Sequence, residues 1–300
     1  MPYDKEELEK FRQSGKILRE TREEMRGFVK ENMLVIDVCE KVEGLIRAKG
    51  GKPAFPCNVS INEVAAHYTS PPGDKSLIPE GSTVKVDLGV QVDGYVTDTA
   101  FTAPFSYESK VMAATAELAL KTVIENIHGD MPLGNIGSLV ETTIKNRGFK
   151  PISNLTGHSV GRYIIHAPPS IPSVAGFSPY KVRADEIIAV EPFVTLPDAI
   201  GRVDDAPQMT IYRLLKAKST NSDAAKKMLK HIEANFRTLP FAERWLIGVV
   251  PLEQHKAAFK ELFTSKAIMG YPVFVEASKK PVAQAEHTLL IKDEGCEVLT

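Results

Sequence analysis

The sequence predicts an α+β fold that is interrupted by an α-helical insert. Three observations carry this prediction. Apolar residues alternate with other residues at a period of two within residues 82–102, which is typical of β-strands. The order of two helices followed by strands occurs twice before residue 200, which indicates two similar halves. Residues 219–269 then carry apolar residues at helical spacings before the chain returns to strands.

Start and stop signals place the individual elements along the chain. The predicted helices cover residues 4–31, 37–49, 108–127 and 135–147, and the predicted strands cover residues 82–92, 95–102, 187–190, 272–276 and 281–291. Asp37 and Glu40 have the spacing of a capping box, so we expect the second helix to begin at Asp37. Gly50 and Gly148 are the expected helix stops. The predicted domains are residues 1–200 with 272–300, and an inserted helical subdomain over residues 201–271.

The composition is that of an ordinary globular protein. Of 300 residues, 43% are apolar and 25% are charged, which excludes a disordered or collagen-like chain. The formal net charge is -1, so no global attraction to nucleic acid or to an anionic membrane is expected. The three cysteines form no C-x-x-C pair, residues 1–32 are strongly charged, and no apolar run reaches the roughly 20 residues of a membrane span. We therefore expect a cytoplasmic, monomeric protein without membrane or nucleic-acid partners.

The hairpin predicted within residues 82–102 brings two aspartates together. The Asp93-Gly94 dipeptide favours a two-residue turn, and this turn places Asp98 opposite Gly89. Asp87 then lies diagonally from Asp98 on the same face, at roughly 7–8 Å between Cα atoms. Two carboxylates in this arrangement repel each other unless a proton or a cation lies between them. A single strand aspartate is more often solvated, but this pair favours a metal site, and Gly89 is expected to leave open space for the cation.

Further candidate ligands occur later in the chain. Glu191 follows one apolar strand and Glu286 lies within another, where a buried carboxylate without a partner is costly. The alternative for Glu286 is the outward position of a half-exposed strand. His158 and His166 lie in a segment rich in glycine and proline, although a lone histidine is more often a structural hydrogen-bonding group. Four carboxylates with one imidazole suit one or two divalent ions of the Mn, Fe, Co or Zn kind, and they favour a two-metal hydrolytic centre over a structural zinc site.

The order of these residues and the strings around them resemble the methionine aminopeptidases of the pita-bread fold. The matching strings are residues 54–56, 60–63, 65–69, 86–89, 93–94, 97–100, 157–158, 165–167, 171–172, 190–193 and 284–288. The insert, with its strings at residues 238–242, 244–246 and 270–273, is similar to the insert of the type II enzymes. The resemblance covers essentially the whole chain and implies two pseudo-symmetric halves with an inserted helical subdomain. No long N-terminal extension is expected, which is more similar to archaeal members.

The resemblance implies a set of metal ligands. Asp87 is expected to chelate one ion, and His158 and Glu191 the other. Asp98 and Glu286 are expected to bridge both. Two divalent ions per chain, Co, Mn, Fe or Zn, are therefore the implied cofactors.

The resemblance also implies a substrate site. His67 and His166 are expected to hydrogen-bond the scissile amide and its tetrahedral intermediate and to donate to the developing charge. Phe55 and Ile165 are expected to form part of the apolar pocket for a methionine side chain. Glu191 is expected to shuttle a proton. The implied activity is removal of the initiator methionine from nascent proteins and peptides near the ribosome, with a small second residue, by attack of a metal-bridging hydroxide on the peptide carbonyl.

Three alternatives remain beside this interpretation. Prolidases and aminopeptidase P share the fold and the ligand set, but they usually carry a large N-terminal domain, which the ~80 residues before Asp87 are too few to supply. A non-catalytic relative that binds RNA or ribosomes would lose ligands and carry basic patches. Lys226, Lys227 and Lys230 are interpreted instead as a solvated helix face. The third alternative, a protein whose carboxylates are surface residues, conflicts with the joint match of five ligands and two histidines.

Overall fold

A computed structural model of the chain describes residues 3–216 and 220–300. Residues 1, 2 and 217–219, which the predicted domains and insert include, lie outside the described residues. The helices are α1 (Lys5–Phe28), α2 (Val35–Ala48), α3 (Tyr107–Asn126), α4 (Leu133–Asn146), α5 (Asp223–Asn235), α6 (Leu252–Thr264) and a 3-10 helix at Glu243–Leu246. The strands are β1 (Lys52–Pro53), β2 (Asn58–Ile61), β3 (Val64–Ala66), β4 (Thr83–Val92), β5 (Tyr95–Pro104), β6 (Lys150–Pro151), β7 (Gly157–Gly161), β8 (Ile164–Ile171), β9 (Ile187–Val190), β10 (Phe193–Thr195), β11 (Val203–Leu214), β12 (Phe241–Ala242), β13 (Ile268–Glu276), β14 (Val282–Gln284), β15 (Glu286–Ile291) and β16 (Cys296–Val298).

The β4–β5 hairpin lies within the main sheet, whose strands run in the order β1-β4-β5-β15-β9-β7-β8. The register pairs Gly89 with Asp98 and Val92 with Tyr95, so the turn and the pairing predicted from the sequence are confirmed. Val86 and Leu88 point to the face that α1 and α2 cover, where they join a buried core with residues of both helices. Because side chains alternate across a strand, Asp87 and Asp98 point to the opposite face.

The second half of the sheet repeats this arrangement. Helices α3 and α4 pack over β8, β9 and β15 in a separate core that contains Leu120, Ile136, Val190 and Leu289. The two halves meet where β5 pairs with β15. The α+β fold with two similar halves is therefore confirmed, and among residues 3–216 and 220–300 no helix is long and apolar enough to cross a membrane.

The insert contains more strand than the sequence indicated. Helices α5 and α6 and the 3-10 helix enclose their own core, which includes Met228, Phe241 and Leu262. Strand β11, however, occupies residues 203–214 and pairs with β12 and β13, and β13 pairs in turn with β3. A strand thus links the start of the insert to the first half of the chain, while the domain boundaries themselves remain a prediction.

The predicted capping box at the start of α2 is wrong. The helix begins at Val35, two residues before Asp37, and its N-cap residue Leu34 makes no side-chain cap. The reason is that a neighbouring loop satisfies the first turn, since Val35 N donates to Ser76 O at 2.9 Å. A capping box is present instead at α1, where Asp4 and Glu7 exchange bonds of 2.9 and 3.0 Å. The stops at Gly50 and Gly148 are confirmed, with φ of 87° and 80°.

Candidate metal centre

Asp98 is held at the junction between the two halves of the sheet. Its backbone N–H donates to Thr288 Oγ1 at 2.8 Å, and the same hydroxyl donates to Asp98 O at 2.8 Å. Thr288 lies on β15, so one side chain joins the strand that carries Asp98 to the strand that begins with Glu286. Both carboxylates are buried, with Asp98 4% and Glu286 1% exposed.

The remaining candidate ligands come from neighbouring strands of the second half. His158 lies on β7 and pairs with Ala189 of β9. Glu191 follows β9 directly, ahead of Pro192. The sheet therefore aims side chains from four strands and one strand end at the same space.

These side chains converge within a few ångströms. The ligand atoms of Asp98, His158 and Glu286 all lie within 4.8 Å of one another. His158 Nε2 is 3.6 Å from Asp98 Oδ2 and 3.6 Å from Glu191 Oε1. Asp87 interacts with the side chain of Asp98 and lines the same cavity. The structure thus brings all five predicted ligands together, while their individual roles stay a prediction.

The cluster is electrostatically unfavourable without a cation. Burial raises the pKa of Asp87 to about 7. Burial, and then the charges of neighbouring carboxylates, raise the pKa values of Asp98 and Glu286 well above their ordinary range, and Glu191 shifts in the same direction. Burial lowers the pKa of His158 to about 3, so its approaches to two carboxylates are not ion pairs at neutral pH. Such shifts arise when acids crowd into a space of low dielectric.

The donor set fits divalent metal ions. Asp87 Oδ1, Asp98 Oδ1 and Glu286 Oε1 are buried and have no hydrogen-bond partner among the described residues. A buried carboxylate oxygen without a partner is costly, and a coordinated cation removes that cost. Carboxylate oxygens with one imidazole nitrogen suit Mn, Fe, Co or Zn.

Gln284 is a site residue for which the sequence argument assigned no role. Its Nε2 donates to Glu191 Oε2 at 3.5 Å and to Glu286 Oε2 at 3.4 Å. It therefore orients two carboxylates from different strands. The available signal was its position two residues before Glu286, since alternate residues of an extended chain share a face.

A cavity of about 630 Å³ opens beside the carboxylates. Phe55 and Ile165 form an apolar part of its wall, and each side chain is less than a tenth exposed. His67 and His166 also line the cavity, with ring centroids 6.5 Å apart, and Tyr271 lies 5.5 Å from the His67 ring. The predicted substrate residues thus share one cavity with the predicted metal ligands.

The expectation of open space at Gly89 is wrong. A Cβ built at Gly89 would lie 2.2 Å from Phe55 Cε1, because the phenyl ring packs directly against this glycine. The absence of a side chain therefore admits the aromatic wall of the cavity instead of a cation. Phe55 lies thirty-four residues before Gly89 in the chain, so the hairpin pattern carried no information about this contact.

The two cavity histidines are neutral at physiological pH. Burial, followed by the charge of His166, lowers the pKa of His67 to about 4. Although the His166 ring is accessible from the cavity, the surrounding protein and the charge of Arg213 lower its pKa to about 4. His67 Nδ1 lies 3.3 Å from Pro272 O, and since a carbonyl only accepts, the hydrogen of the neutral ring is on Nδ1. His67 Nε2 is consequently a hydrogen-bond acceptor.

Comparison with known proteins identifies relatives over the whole chain. The sequence matches the model of metallopeptidase family M24 over residues 9–292. The methionine aminopeptidase of Methanothermobacter thermautotrophicus is 40% identical over 296 residues, which are 98% of this chain and 98% of that relative. The crystal structure of methionine aminopeptidase from Thermotoga maritima has a TM-score of 0.73 at 21% identity and covers 100% of this chain and 98% of its own. The structure of a thermophilic Arx1 has a TM-score of 0.82 at 17% identity and covers 99% of this chain and 91% of its own.

Proposed function

The chain belongs to metallopeptidase family M24, and on this premise we propose that it is a methionine aminopeptidase that releases N-terminal methionine from peptides with the help of divalent metal ions. The observation that carries the proposal is the convergence of four carboxylates and one imidazole beside an apolar cavity. The likeness to methionine aminopeptidases over 98% of the chain supports the same activity.

Five side chains would hold two ions. Asp87 would bind one ion, His158 and Glu191 the other, and Asp98 and Glu286 both. When bound, divalent ions lower the pKa of water and polarise a carbonyl oxygen. The unpartnered buried oxygens of three of these carboxylates support this assignment. Co, Mn, Fe and Zn all suit the donor set.

Glu191 is the group that we assign to carry a proton. Its pKa is raised well above the ordinary range, first by burial and then by the charge of Asp87. Gln284 Nε2 donates to Glu191 Oε2, which leaves Oε1 on the side of His158. A positioned carboxylate is a common general acid–base group, so Glu191 would pass a proton from water to the leaving amine.

His67 and His166 would bind the peptide at the scissile bond. His67 Nε2 is an acceptor, so it would accept the hydrogen of the scissile amide. The neutral His166 ring retains one N–H, which would donate to the oxygen that becomes negative in the transition state. The sequence-based expectation was that both rings donate to the developing charge, and an acceptor at His67 Nε2 would leave this role to His166.

The apolar wall of the cavity would bind the side chain of the first substrate residue. Phe55 and Ile165 are buried and form a wall that suits a flexible thioether. We propose that the second residue of the substrate must be small. N-termini of nascent chains would satisfy these requirements, and an association with the ribosome stays a prediction.

The test is an aminopeptidase assay with a panel of Met-Xaa peptides after chelation and resupply of each metal. We expect methionine release from Met-Ala and Met-Gly, little release when the second residue is large, and no cleavage of Xaa-Pro dipeptides whose first residue is not methionine. The absence of release with every metal would contradict the proposal, and cleavage confined to Xaa-Pro would indicate a prolidase instead.

Asp98→Asn provides the matched variant. It keeps the shape of the side chain but removes a charge from the centre of the cluster, so we expect activity to be lost. Asp93→Asn is the control, because Asp93 lies at the exposed turn of the same hairpin and pairs with Lys10. Activity of Asp98→Asn at the level of Asp93→Asn would show that Asp98 is not a ligand.

A further inference from the structure

The strands that carry Asp98 and Glu286 pair over a short stretch. In the part of the chain that the structure describes, β15 pairs with β5 at Glu286 with Ala100 and at His287 with Thr99. The spacing between the two carboxylates therefore depends on a junction with little main-chain pairing. Side chains must contribute to its rigidity.

One such side chain comes from the far face of the sheet. Thr99 and His287 face each other, and alternation turns their side chains away from the carboxylates and toward α1. Arg22 of α1 reaches this point and is only 6% exposed. Its Nη1 is 3.0 Å from Thr99 Oγ1 and 2.9 Å from His287 Nδ1. One guanidinium group thus contacts both strands of the junction.

The contacts of Arg22 are hydrogen bonds from a charged donor. His287 Nδ1 lies 2.9 Å from Arg22 Nη1, and because a guanidinium group only donates, this ring nitrogen accepts. Thr99 Oγ1 accepts from Arg22 and donates its own hydrogen to Glu286 O at 2.6 Å. Hydrogen bonds from a charged donor are stronger than neutral ones. The chain of contacts therefore runs from Arg22 to the backbone of Glu286 itself.

We propose that Arg22 is a positioning residue for the metal centre, which ties β5 to β15 from behind and so sets the spacing between the carboxylates of Asp98 and Glu286. The inference rests on the proposed function, because it takes these carboxylates as metal ligands. Arg22 touches neither the cavity nor the substrate site, and it acts through Thr99 and His287.

The variant Arg22→Met should fold. Thr99 keeps its bond to Glu286 O, and His287 Nδ1 keeps Thr300 Oγ1 at 3.0 Å, so neither buried group is left without a partner. Methionine also retains much of the apolar length of arginine. Arg26→Met is the matched control, because Arg26 lies one turn later on α1 and pairs with Glu117 at 3.0 Å.

The experiment is calorimetric titration of the chelated full chain with Mn²⁺. We expect Arg22→Met to weaken Mn²⁺ binding about tenfold or more, the range seen when partners that orient metal ligands are removed. Arg26→Met should bind like the wild type. Arg22→Lys should recover part of the affinity, and methionine release by Arg22→Met should improve more than wild-type release when Mn²⁺ is raised.

The outcomes separate the inference from the proposed function. If the wild type binds none of Mn²⁺, Co²⁺, Fe²⁺ and Zn²⁺, the proposed function fails, and if it binds another of these ions but not Mn²⁺, the titrations are made with that ion. If the wild type binds Mn²⁺ and Arg22→Met binds it equally well, the inference is overturned. Should Arg22→Met not fold, His287→Leu replaces it, because this variant removes the acceptor on β15 and leaves the contact to Thr99. Weaker Mn²⁺ binding by His287→Leu would then support the inference, and unchanged binding would overturn it.

Discussion

His67 occupies the cavity in a defined orientation. Its ring is held by Pro272 O at 3.3 Å and packs against Phe274 with ring centroids 4.4 Å apart. We expect His67 to bind substrate and not metal, because its Nδ1 is bonded to a backbone carbonyl and its ring lines the cavity.

The first prediction is that His67→Ala keeps its metal and loses turnover. We expect kcat to fall by about 100-fold or more, as when a positioned proton-transfer or hydrogen-bonding group is removed. Elemental analysis after dialysis gives the metal content, and steady-state kinetics on Met-Ala give kcat. His128→Ala is the control, because His128 is exposed and bonds its own neighbour Gly129. Loss of metal from His67→Ala would show that His67 is a ligand.

Gly89 gives a second prediction at the same scale. In Gly89→Ala the new methyl group would lie 2.2 Å from the ring of Phe55, so the ring must move. Because this ring forms part of the cavity wall, we expect the altered wall to bind a methionine side chain less well and kcat/KM for Met-Ala to fall by roughly tenfold or more. Gly44→Ala is the control, because no atom lies within 4 Å of a Cβ at that helical position. Unchanged kcat/KM in Gly89→Ala would show that the Phe55 ring can move without changing how the cavity binds the substrate.

The residues of the site differ in how far sequence alone reveals them. Asp87 and Asp98 were predictable as a pair because a two-residue turn sets their register within one hairpin. His158 and Glu286 were candidates from their residue type and local context, and the family resemblance gave them roles, but the meeting of their strands with the hairpin is visible only in the folded sheet. The contact of Phe55 with Gly89 was not predictable, because it depends on packing between segments that no local pattern connects.

At the scale of elements, a buried ion pair joins the insert to the first half. Glu43 of α2 is 2% exposed and accepts from Arg244 of the 3-10 helix and from Trp245 Nε1 at 2.7 Å. Arg244 Nη1 also donates to Thr69 Oγ1 at 2.8 Å, two residues after His67. The pair therefore fixes the insert against the loop that carries His67.

The third prediction concerns this pair. Removing one partner leaves a buried charge, so Arg244→Met should lower the free energy of unfolding by about 3–5 kcal/mol. The double variant Glu43→Gln with Arg244→Met should lose less than the sum of the single losses. Urea denaturation of the four forms measures the coupling, and Arg202→Met, an exposed arginine paired with Asp204, should change stability by about 0.5 kcal/mol or less. Additive losses would mean that the ion pair contributes nothing of its own.

The elements that sequence analysis predicted are those with strong local signals. The hairpin was predicted from its alternation and turn, α1 from the spacing of its apolar residues, α3 from its apolar composition and α4 from its glycine stop, and each was placed within a few residues. Strand β11 was missed because residues 203–214 alternate irregularly between buried and exposed positions. Its register with β13 also shifts twice. Its pairing partner lies more than fifty residues away in the chain, so no local pattern marks the pairing.

For the whole molecule, the site is the place where the two halves are joined. Asp87 and Asp98 come from the first half, and His158, Glu191 and Glu286 from the second. Two halves were predictable from the repeated order of helices and strands. Their contact at β5 and β15 was not, because pairing between distant strands leaves no periodic trace in either one.

Metal removal gives the last prediction, at the scale of the whole molecule. An ion that binds the folded chain stabilises it by about 2.7 kcal/mol at a free concentration of about one hundred times its dissociation constant. We therefore expect chelation to lower the unfolding midpoint by several degrees, and resupply of Mn²⁺ to restore it, as measured by calorimetry. Asp98→Asn should show a smaller shift than the wild type.

Hydrogen exchange locates this effect within the chain. Because the proposed ligands come from both halves, we expect added Mn²⁺ to slow exchange in β5, β9 and β15, the strands whose separation it would oppose. Helices α5 and α6 serve as an internal control, since they pack around a core of their own in the insert. Equal slowing in α5 and α6 would mean that metal stabilises the chain globally, and unchanged exchange in β5 and β15 would mean that it does not bind between the halves.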